Sequence, residues 1–126
     1  MIDPFQLHIM ICGSRNNINR DLVRADLYSI ISRYKNAIFH LGGAGGVDLI
    51  AEEYCESLGV KYILHYPDYN RYGRPAPLVR NDEMINCSDR VFAFWNGESS
   101  GTKYVINKCL ENDVPLVVFY EGKEHA

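Results

Sequence analysis

A chain of 126 residues with an apolar fraction of 47 % is long enough to bury a core of its own. Its formal net charge of −3 argues against a general binder of nucleic acids or of membrane surfaces, because both are anionic. No apolar run approaches the ~20 residues that cross a bilayer, and the sequence does not begin with the basic segment of a secretory signal. We therefore expect one cytoplasmic domain over residues 1–126.

The four cysteines are widely spaced and form no CxxC or cysteine–histidine metal pattern. Cys12, Cys55 and Cys109 fall in segments with strand or helix character, which indicates buried free thiols in a reducing compartment. The four histidines also lack a metal-ligand spacing. We therefore expect neither a metal site nor a resident cofactor.

Apolar runs alternate with segments of helical periodicity along the chain. The pattern predicts strands at residues 5–12, 37–41, 60–65, 90–95 and 115–120, and helices at residues 19–34, 47–58, 78–87 and 102–112. Asn17 or Asn19 is the expected cap of the first helix, and Gly59 is the expected end of the second. The helices are expected to bury their apolar faces, which include Leu22, Leu49 and Leu110. Prolines predict an irregular loop at residues 67–77, and the polar residues 121–126 predict a frayed end.

Strands that alternate with helices favour a parallel sheet that is covered on both faces. Right-handed crossovers then predict an α/β doubly wound sheet of about five strands in the order 3-2-1-4-5. In this order the loops after the first and fourth strands face each other across a crevice, and the loop after the second strand lies beside them. We therefore expect a ligand at the carboxyl edge of the sheet.

A glycine-rich stretch, Gly-Gly-Ala-Gly-Gly-Val-Asp at residues 42–48, separates the second strand from the second helix. Glycine permits positive φ and a close backbone approach, and the start of a helix attracts anions. The stretch therefore favours phosphate binding, although a tight turn that binds nothing has the same composition. It is not a GxGxxG fingerprint, which would follow the first strand, and it lacks the Gly-Lys-Ser/Thr of a Walker A loop.

The side chains around these loops suggest how a phosphate would be held. Arg15 and Arg80 carry guanidinium groups that can grip phosphate oxygens, although both also fit ordinary surface arginines. Asp48 fits a ribose hydroxyl, a general base or a partner of the helix dipole. Trp95 fits a stacking platform or a core position. The serine and threonine hydroxyls fit ligand donors or helix caps. The complete set of candidate ligand-binding residues is Gly13, Ser14, Arg15, Gly42, Gly43, Ala44, Gly45, Asp48, Arg80, Asn81, Trp95, Ser99, Ser100, Gly101 and Thr102.

Four motifs follow one another along the chain: Gly13-Ser14-Arg15, residues 42–48, residues 80–84 and residues 94–102. In this order they resemble the YspA-like (cpYpsA-related) family of the SLOG superfamily, which also holds the LOG phosphoribohydrolases and DprA. The resemblance covers residues 7 to about 119. It implies a Rossmann-like fold with a site for nucleotides or nucleotide-derived signals. Tyr69 stands where the family usually has tryptophan, and Pro75-Ala76-Pro77 stands near the place of a common Ala-Gly-Pro element.

The resemblance implies either a protein that binds or senses a nucleotide or ADP-ribose-like ligand, or a hydrolase of the N-glycosidic bond of nucleoside 5′-monophosphates. LOG enzymes carry Gly-Gly-x-Gly-Thr-x-x-Glu, whose glutamate is implicated in cleavage with the arginine of an Arg-Lys-x-x-Met element. Here Arg80 and Met84 are kept, but Asn81 replaces the lysine and Val105 stands at the glutamate position. We therefore favour a binding protein and assign no catalytic residue.

The partner expected from the sequence is a nucleotide-type small molecule. The acidic balance argues against a DNA-processing role like that of DprA, because DNA affinity depends on basic groups that neutralise phosphates. We therefore expect neither nucleic acid nor a membrane as a partner. The sequence leaves open whether the protein forms a homo-oligomer.

Overall fold

A computed structural model, which describes residues 3–120 and 123–125, contains one mixed sheet flanked by helices. Within these residues the strands follow the spatial order β3-β2-β1-β4-β5-β6. The first five strands are parallel, and β6 is antiparallel to β5. The predicted α/β class and the order 3-2-1-4-5 are therefore confirmed. The strands are β1 (His8–Gly13), β2 (Ile38–Leu41), β3 (Tyr62–Leu64), β4 (Arg90–Trp95), β5 (Leu116–Tyr120) and β6 (Lys123–His125).

The helices connect the strands on both faces of the sheet. They are α1 (Arg20–Arg33), α2 (Val47–Leu58), the short α3 (Tyr69–Tyr72), α4 (Ala76–Cys87) and α5 (Ser100–Glu111). Asn19 caps α1, since its Oδ1 accepts a 3.2 Å hydrogen bond from the backbone N–H of Leu22. Gly59 ends α2 in the left-handed conformation, with φ of +67°. No helix in the described part of the chain is both long and apolar enough to span a membrane.

The alternation of side chains along β1 divides the core into two layers. Ile9 and Ile11 pack with the residues of α1 and α2 on one face, whereas Met10 and Cys12 pack with those of α4 and α5 on the other. All four side chains are buried. Full burial of an aliphatic side chain contributes ~1.5–3 kcal/mol, so a strand covered on both sides is apolar at nearly every position.

Two segments differ from the sequence-based prediction. The prediction of a frayed end is wrong for residues 123–125, which form β6, while residues 121, 122 and 126 lie outside the described residues. The outer edge of β5 offers backbone N–H and C=O groups to any further strand. Strand pairing uses these backbone groups, so a polar segment can also pair there. The irregular loop predicted at residues 67–77 contains α3, which Asp68 caps, and the start of α4. Pro77 is compatible with this helix because it lies in the first turn.

Three leucines that were expected to face inward are exposed instead. Leu22, Leu49 and Leu110 have exposed fractions of 41 %, 48 % and 65 %. Each belongs to a helix whose buried stripe is narrower than its run of apolar residues. The third strand is also shorter than predicted, and spans Tyr62–Leu64.

Candidate functional site

A cleft of about 450 Å³ opens at the carboxyl edge of the sheet. The loop after β1, the loop after β4, the start of α5 and the side of α4 surround it. The fold therefore brings most of the predicted site residues together at the switch point between β1 and β4. Those that line the cleft are Gly13, Arg15, Ala44, Asp48, Arg80, Asn81, Ser99, Ser100, Gly101 and Thr102.

The other candidates are not among the residues that line the cleft, and some of them support its walls. Ser14 is fully buried, and its Oγ accepts a 3.1 Å hydrogen bond from the backbone N–H of Asn96. Trp95 donates from Nε1 to the carbonyl oxygen of Ser99 at 3.0 Å. These contacts join the loops after β1 and β4 and fix the start of α5. The candidates outside the lining are Ser14, Gly42, Gly43, Gly45 and Trp95.

Two glycines are needed where the loop after β1 meets the start of α2. Gly46 has φ of +69°, and a Cβ there would lie 2.6 Å from the carbonyl oxygen of Ser14. A Cβ on Gly13 would lie 2.5 Å from Cγ2 of Val47. Such distances are too short for any side chain, so both positions require glycine for packing. At Gly46 the requirement for glycine therefore comes from its positive φ and from packing against the loop after β1.

The start of α5 presents backbone N–H groups to the cleft. Oδ1 of Asn96 accepts hydrogen bonds from the backbone N–H groups of Glu98 and Ser99, at 2.8 and 2.9 Å, and so fixes the turn before the helix. The first hydrogen bond of the helix backbone runs from Lys103 to Ser99. The N–H groups of Ser100 and Gly101 therefore have no acceptor within the helix, which is the arrangement that attracts anions.

Arg80 lies in the wall of the cleft and is only 8 % exposed. Its Nη1 donates to the carbonyl oxygens of Gly42 and His65, at 2.6 and 3.2 Å, and its Nε donates to Oδ1 of Asn81 at 2.9 Å. Burial lowers the pKa of the guanidinium, and the nearby carboxyl of Asp48 partly opposes this shift. Arg80 therefore connects α4 to the ends of β2 and β3. Arg15, by contrast, is exposed at the rim of the cleft.

Asp48 is a buried acid in the wall of the cleft, with 6 % of its surface exposed. Its Oδ2 accepts a 3.3 Å hydrogen bond from the backbone N–H of Ala44, whereas its Oδ1 has no hydrogen-bond partner in the described residues. Burial raises the pKa of Asp48 to about 7, against the opposite effects of the Ala44 N–H and of Arg80 and Arg15. The carboxyl can therefore gain or lose a proton near neutral pH.

The neighbouring thiol is not a nucleophile at neutral pH. Burial raises the pKa of Cys12 well above its usual value, and the charge of Asp48 adds to the effect. Because the thiolate is the reactive form, the fold keeps Cys12 in its unreactive protonated state. It serves as part of the apolar floor of the cleft, together with Val105, which is 1 % exposed.

The sequence-based set of site residues omitted several that line the cleft. Asn16, Asn17 and Asn96 lie in the same loops as the predicted residues, so their position after a strand was the available signal. Pro77 was assigned to a loop, whereas α4 begins at Ala76 and includes it; Leu78 was predicted in this helix but was not assigned to the site. The omitted residues are Cys12, Asn16, Asn17, Pro77, Leu78, Asn96, Glu98 and Val105.

Known proteins resemble this chain in sequence and in fold. The Gene 61 protein of Mycobacterium phage D29 is 31 % identical over 119 residues, which cover 88 % of this chain and 94 % of the phage protein. DNA processing protein A of Helicobacter pylori, solved for its single-stranded DNA binding mode, has a TM-score of 0.69 at 21 % identity over 89 % of this chain. DNA processing protein A (DprA) of Streptococcus pneumoniae has a TM-score of 0.73 at 14 % identity over 91 %. This chain spans 64 % and 50 % of the lengths of these two solved chains.

The expectation that excluded nucleic acid as a partner is wrong. It relied on the net charge of −3, yet the Helicobacter pylori protein, which has this fold, binds single-stranded DNA. Net charge averages over a whole surface, whereas contacts to phosphates depend on local cations and backbone N–H groups. Acidity of the whole chain is therefore no argument against such a partner.

A family model also matches this chain. Residues 7–72, slightly more than half of the chain, match the YspA, cpYpsA-related SLOG family. The matched residues contain β1, α1, β2, α2 and β3, and with them the loop after β1 and the glycine-rich stretch. The chain belongs to the YspA, cpYpsA-related SLOG family.

Proposed function

We propose that the cleft binds the phosphate of a nucleotide or nucleotide-derived ligand and that the protein acts as a binding or sensing protein. The proposal depends on one observation: two kinds of hydrogen-bond donor that bind phosphate lie in the same cleft. The N–H groups of Ser100 and Gly101, which have no acceptor within the helix, lie at the positive end of α5, and the guanidinium of Arg15 lies on the opposing loop. The volume of about 450 Å³ suits a small molecule.

The remaining groups of the cleft favour a ligand that also carries hydrogen-bond donors. Asp48 and Glu98 add acceptors, and Asn16, Asn17 and Asn96 offer both donors and acceptors. A sugar with free hydroxyl groups or a base would satisfy such a mixed lining, whereas inorganic phosphate alone would not. Cys12, Cys55 and Cys109 are buried and free, which supports a reducing, cytoplasmic setting.

Single-stranded nucleic acid is a second candidate ligand. The likeness to DNA processing protein A of Helicobacter pylori, which was studied for its single-stranded DNA binding mode, favours it. A strand would offer the same phosphate chemistry to the start of α5. Its affinity would depend steeply on salt if several phosphates made contact, whereas the affinity of a mononucleotide would depend on salt only weakly.

Two matched glycine variants test whether the cleft is the binding site. Gly101 lines the cleft in the first turn of α5, and a Cβ there has no atom within 4 Å. Gly101→Asp therefore fits the fold, and its carboxylate suits a helix start, but it repels a phosphate. Gly45 has the same open surroundings outside the lining. Gly45→Asp adds the same charge and serves as the control.

The measurement is calorimetric titration of the purified protein with AMP and ADP-ribose, and fluorescence anisotropy with a short oligothymidylate. We expect Gly101→Asp to weaken binding of the ligand at least tenfold, because a hydrogen bond to a charged group contributes ~1.5–3 kcal/mol. Gly45→Asp should leave the affinity within about twofold of the parent. Equal effects of the two variants would place the ligand elsewhere. Binding of the oligonucleotide without binding of AMP or ADP-ribose would favour single-stranded nucleic acid as the ligand.

A further inference from the structure

Three histidines form a hydrogen-bonded chain across the sheet. Nδ1 of His8 lies 2.9 Å from Nε2 of His40, and Nδ1 of His40 lies 2.8 Å from Nε2 of His65. Each step crosses to the next strand and moves two residues toward the carboxyl edge, since Ile38 pairs with His8 and Ile63 pairs with His40. The chain therefore leads diagonally from β1, past β2, to the end of β3.

The last residue of this histidine chain, His65, contacts Arg80 in the wall of the cleft. The carbonyl oxygen of His65 accepts a hydrogen bond from Nη1 of Arg80 at 3.2 Å, and the same nitrogen holds Gly42 at 2.6 Å. The backbone N–H of His65 donates to the carbonyl oxygen of Leu41 at 2.8 Å. A displacement of His65 would therefore reach both Arg80 and the loop after β2.

Proton counting limits the charge that the intact chain can carry. Each of its two contacts holds one hydrogen between two nitrogens. With all three rings neutral, the third hydrogen occupies an outer nitrogen, either Nε2 of His8 or Nδ1 of His65. One added proton fills the other outer nitrogen and leaves both contacts intact. A second added proton has no free nitrogen, so one contact must hold two hydrogens and break.

Charged groups lie near both ends of the histidine chain. Asp89, in the turn before β4, accepts a hydrogen bond from the backbone N–H of His8 and favours a charge on His40. On α4, Glu83 favours a charge on His65, whereas Arg80 opposes it. His40 itself is 3 % exposed, and burial followed by the charges of its two histidine neighbours lowers its pKa to about 4. Burial also lowers the pKa of His65.

We propose that this histidine chain is a proton-responsive link to the cleft: it accepts one proton intact, and a second proton breaks a contact and releases the hold of His65 on Arg80. The histidine chain connects the central strand β1, its neighbour β2 and the end of the edge strand β3. The histidine chain is not a metal site, because both ring nitrogens of His40 contact the neighbouring histidines. The described residues also contain no cluster suited to a metal. The proposal stands whether or not the ligand is a nucleotide.

The experiment is an NMR titration of the free protein from neutral to acid pH. The side-chain Nε–H of Arg80, which donates to Asn81, reports on the cleft, and the histidine ring nitrogens report on the chain. We expect ¹⁵N–¹⁵N couplings across both histidine contacts at neutral pH, and both should survive the first protonation. The Arg80 signal should then move together with the loss of one coupling, at a pH below the ordinary histidine value of ~6.5.

Two variants separate the chain from other causes. His40→Phe keeps an aromatic ring of similar size but removes both contacts, so the Arg80 signal should lose its coupled shift. Tyr104→Phe removes a hydrogen bond to Asp82 on the same helix α4, and should leave that shift unchanged. If His40→Phe does not fold, the unaltered protein still tests the proposal, because its Arg80 signal must shift together with the loss of one ¹⁵N–¹⁵N coupling. An Arg80 signal that ignores pH until the protein unfolds, or that moves equally in His40→Phe, would overturn the proposal.

Discussion

Nη1 of Arg80 donates a hydrogen bond of 2.6 Å to the carbonyl oxygen of Gly42. The arginine expected to grip a ligand phosphate thus holds the glycine-rich stretch against α4. Its bonds to His65 and Asn81 make the same group a connection between a helix and the ends of two strands. Arg15 and Arg80, which the sequence suggested as equivalent, therefore have different roles in the fold.

The first prediction concerns stability. Arg80→Ala should lower the free energy of unfolding by about 2–4 kcal/mol, because each buried acceptor left without its donor costs ~1–3 kcal/mol. Arg15→Ala should change it by less than about 0.5 kcal/mol, as is usual for an exposed side chain. Urea denaturation at neutral pH measures both. Similar losses in the two variants would contradict the division of roles.

The second prediction concerns ligand binding by Arg15. Arg15→Ala should weaken the binding of a phosphorylated ligand by about 1.5–3 kcal/mol, the scale of a charge-assisted hydrogen bond. The matching nucleoside without phosphate should lose far less. Calorimetry with AMP and adenosine provides the comparison. Equal losses for both would mean that Arg15 shapes the loop and does not contact phosphate.

The third prediction compares two adjacent glycines. Gly46→Ala should destabilise the fold by more than about 2 kcal/mol, because φ is +69° and the new Cβ would lie 2.6 Å from the carbonyl oxygen of Ser14. Gly45→Ala should stay within about 1 kcal/mol of the parent, since nothing lies within 4 Å of its Cβ. Chemical denaturation of both variants tests this difference, and a mild effect at Gly46 would show that the loop can move.

The fourth prediction uses two buried groups whose effects on stability oppose each other. The pKa of Asp48 is raised to about 7, so its contribution to stability is present at acid pH and is lost as pH rises from ~4 through 7. The pKa of His40 is lowered to about 4, so stability is lost as pH falls from ~6.5 through 4. The effect is about 4 kcal/mol for Asp48 and about 3 kcal/mol for His40. In the intact protein the two slopes largely offset each other.

Single substitutions should reveal each slope. Relative to the parent, Asp48→Asn should gain stability as pH rises from 4 to 7, because only the histidine effect remains. His40→Phe should lose stability over the same range, because only the carboxyl effect remains. Unfolding by urea at a series of pH values gives both curves. Parallel curves for the two variants would contradict the assigned protonation states.

The sequence predicted the strands, their order and the loops that meet at the cleft, because these follow from periodicity and from the handedness of crossovers. It did not predict what Trp95 does, since the ring donates to the carbonyl oxygen of Ser99 and the residue lies outside the cleft lining. The histidine chain was also missed. His8, His40 and His65 are far apart in sequence and meet only through strand register, which side-chain spacing within one segment does not reveal.

The last prediction separates a binding protein from a hydrolase. Cleavage of an N-glycosidic bond passes through an oxocarbenium-like state that a carboxylate stabilises, directly or by activating water. Val105, at the position of the LOG glutamate, lies in the apolar floor of the cleft and can do neither. The carboxyl groups that do line the cleft are those of Asp48 and Glu98.

We expect micromolar protein incubated with AMP to release no adenine above background, as measured by chromatography. Steady release that disappears in Asp48→Asn but persists in Glu98→Gln would instead make Asp48 the catalytic carboxylate, since its pKa of about 7 suits proton transfer at neutral pH.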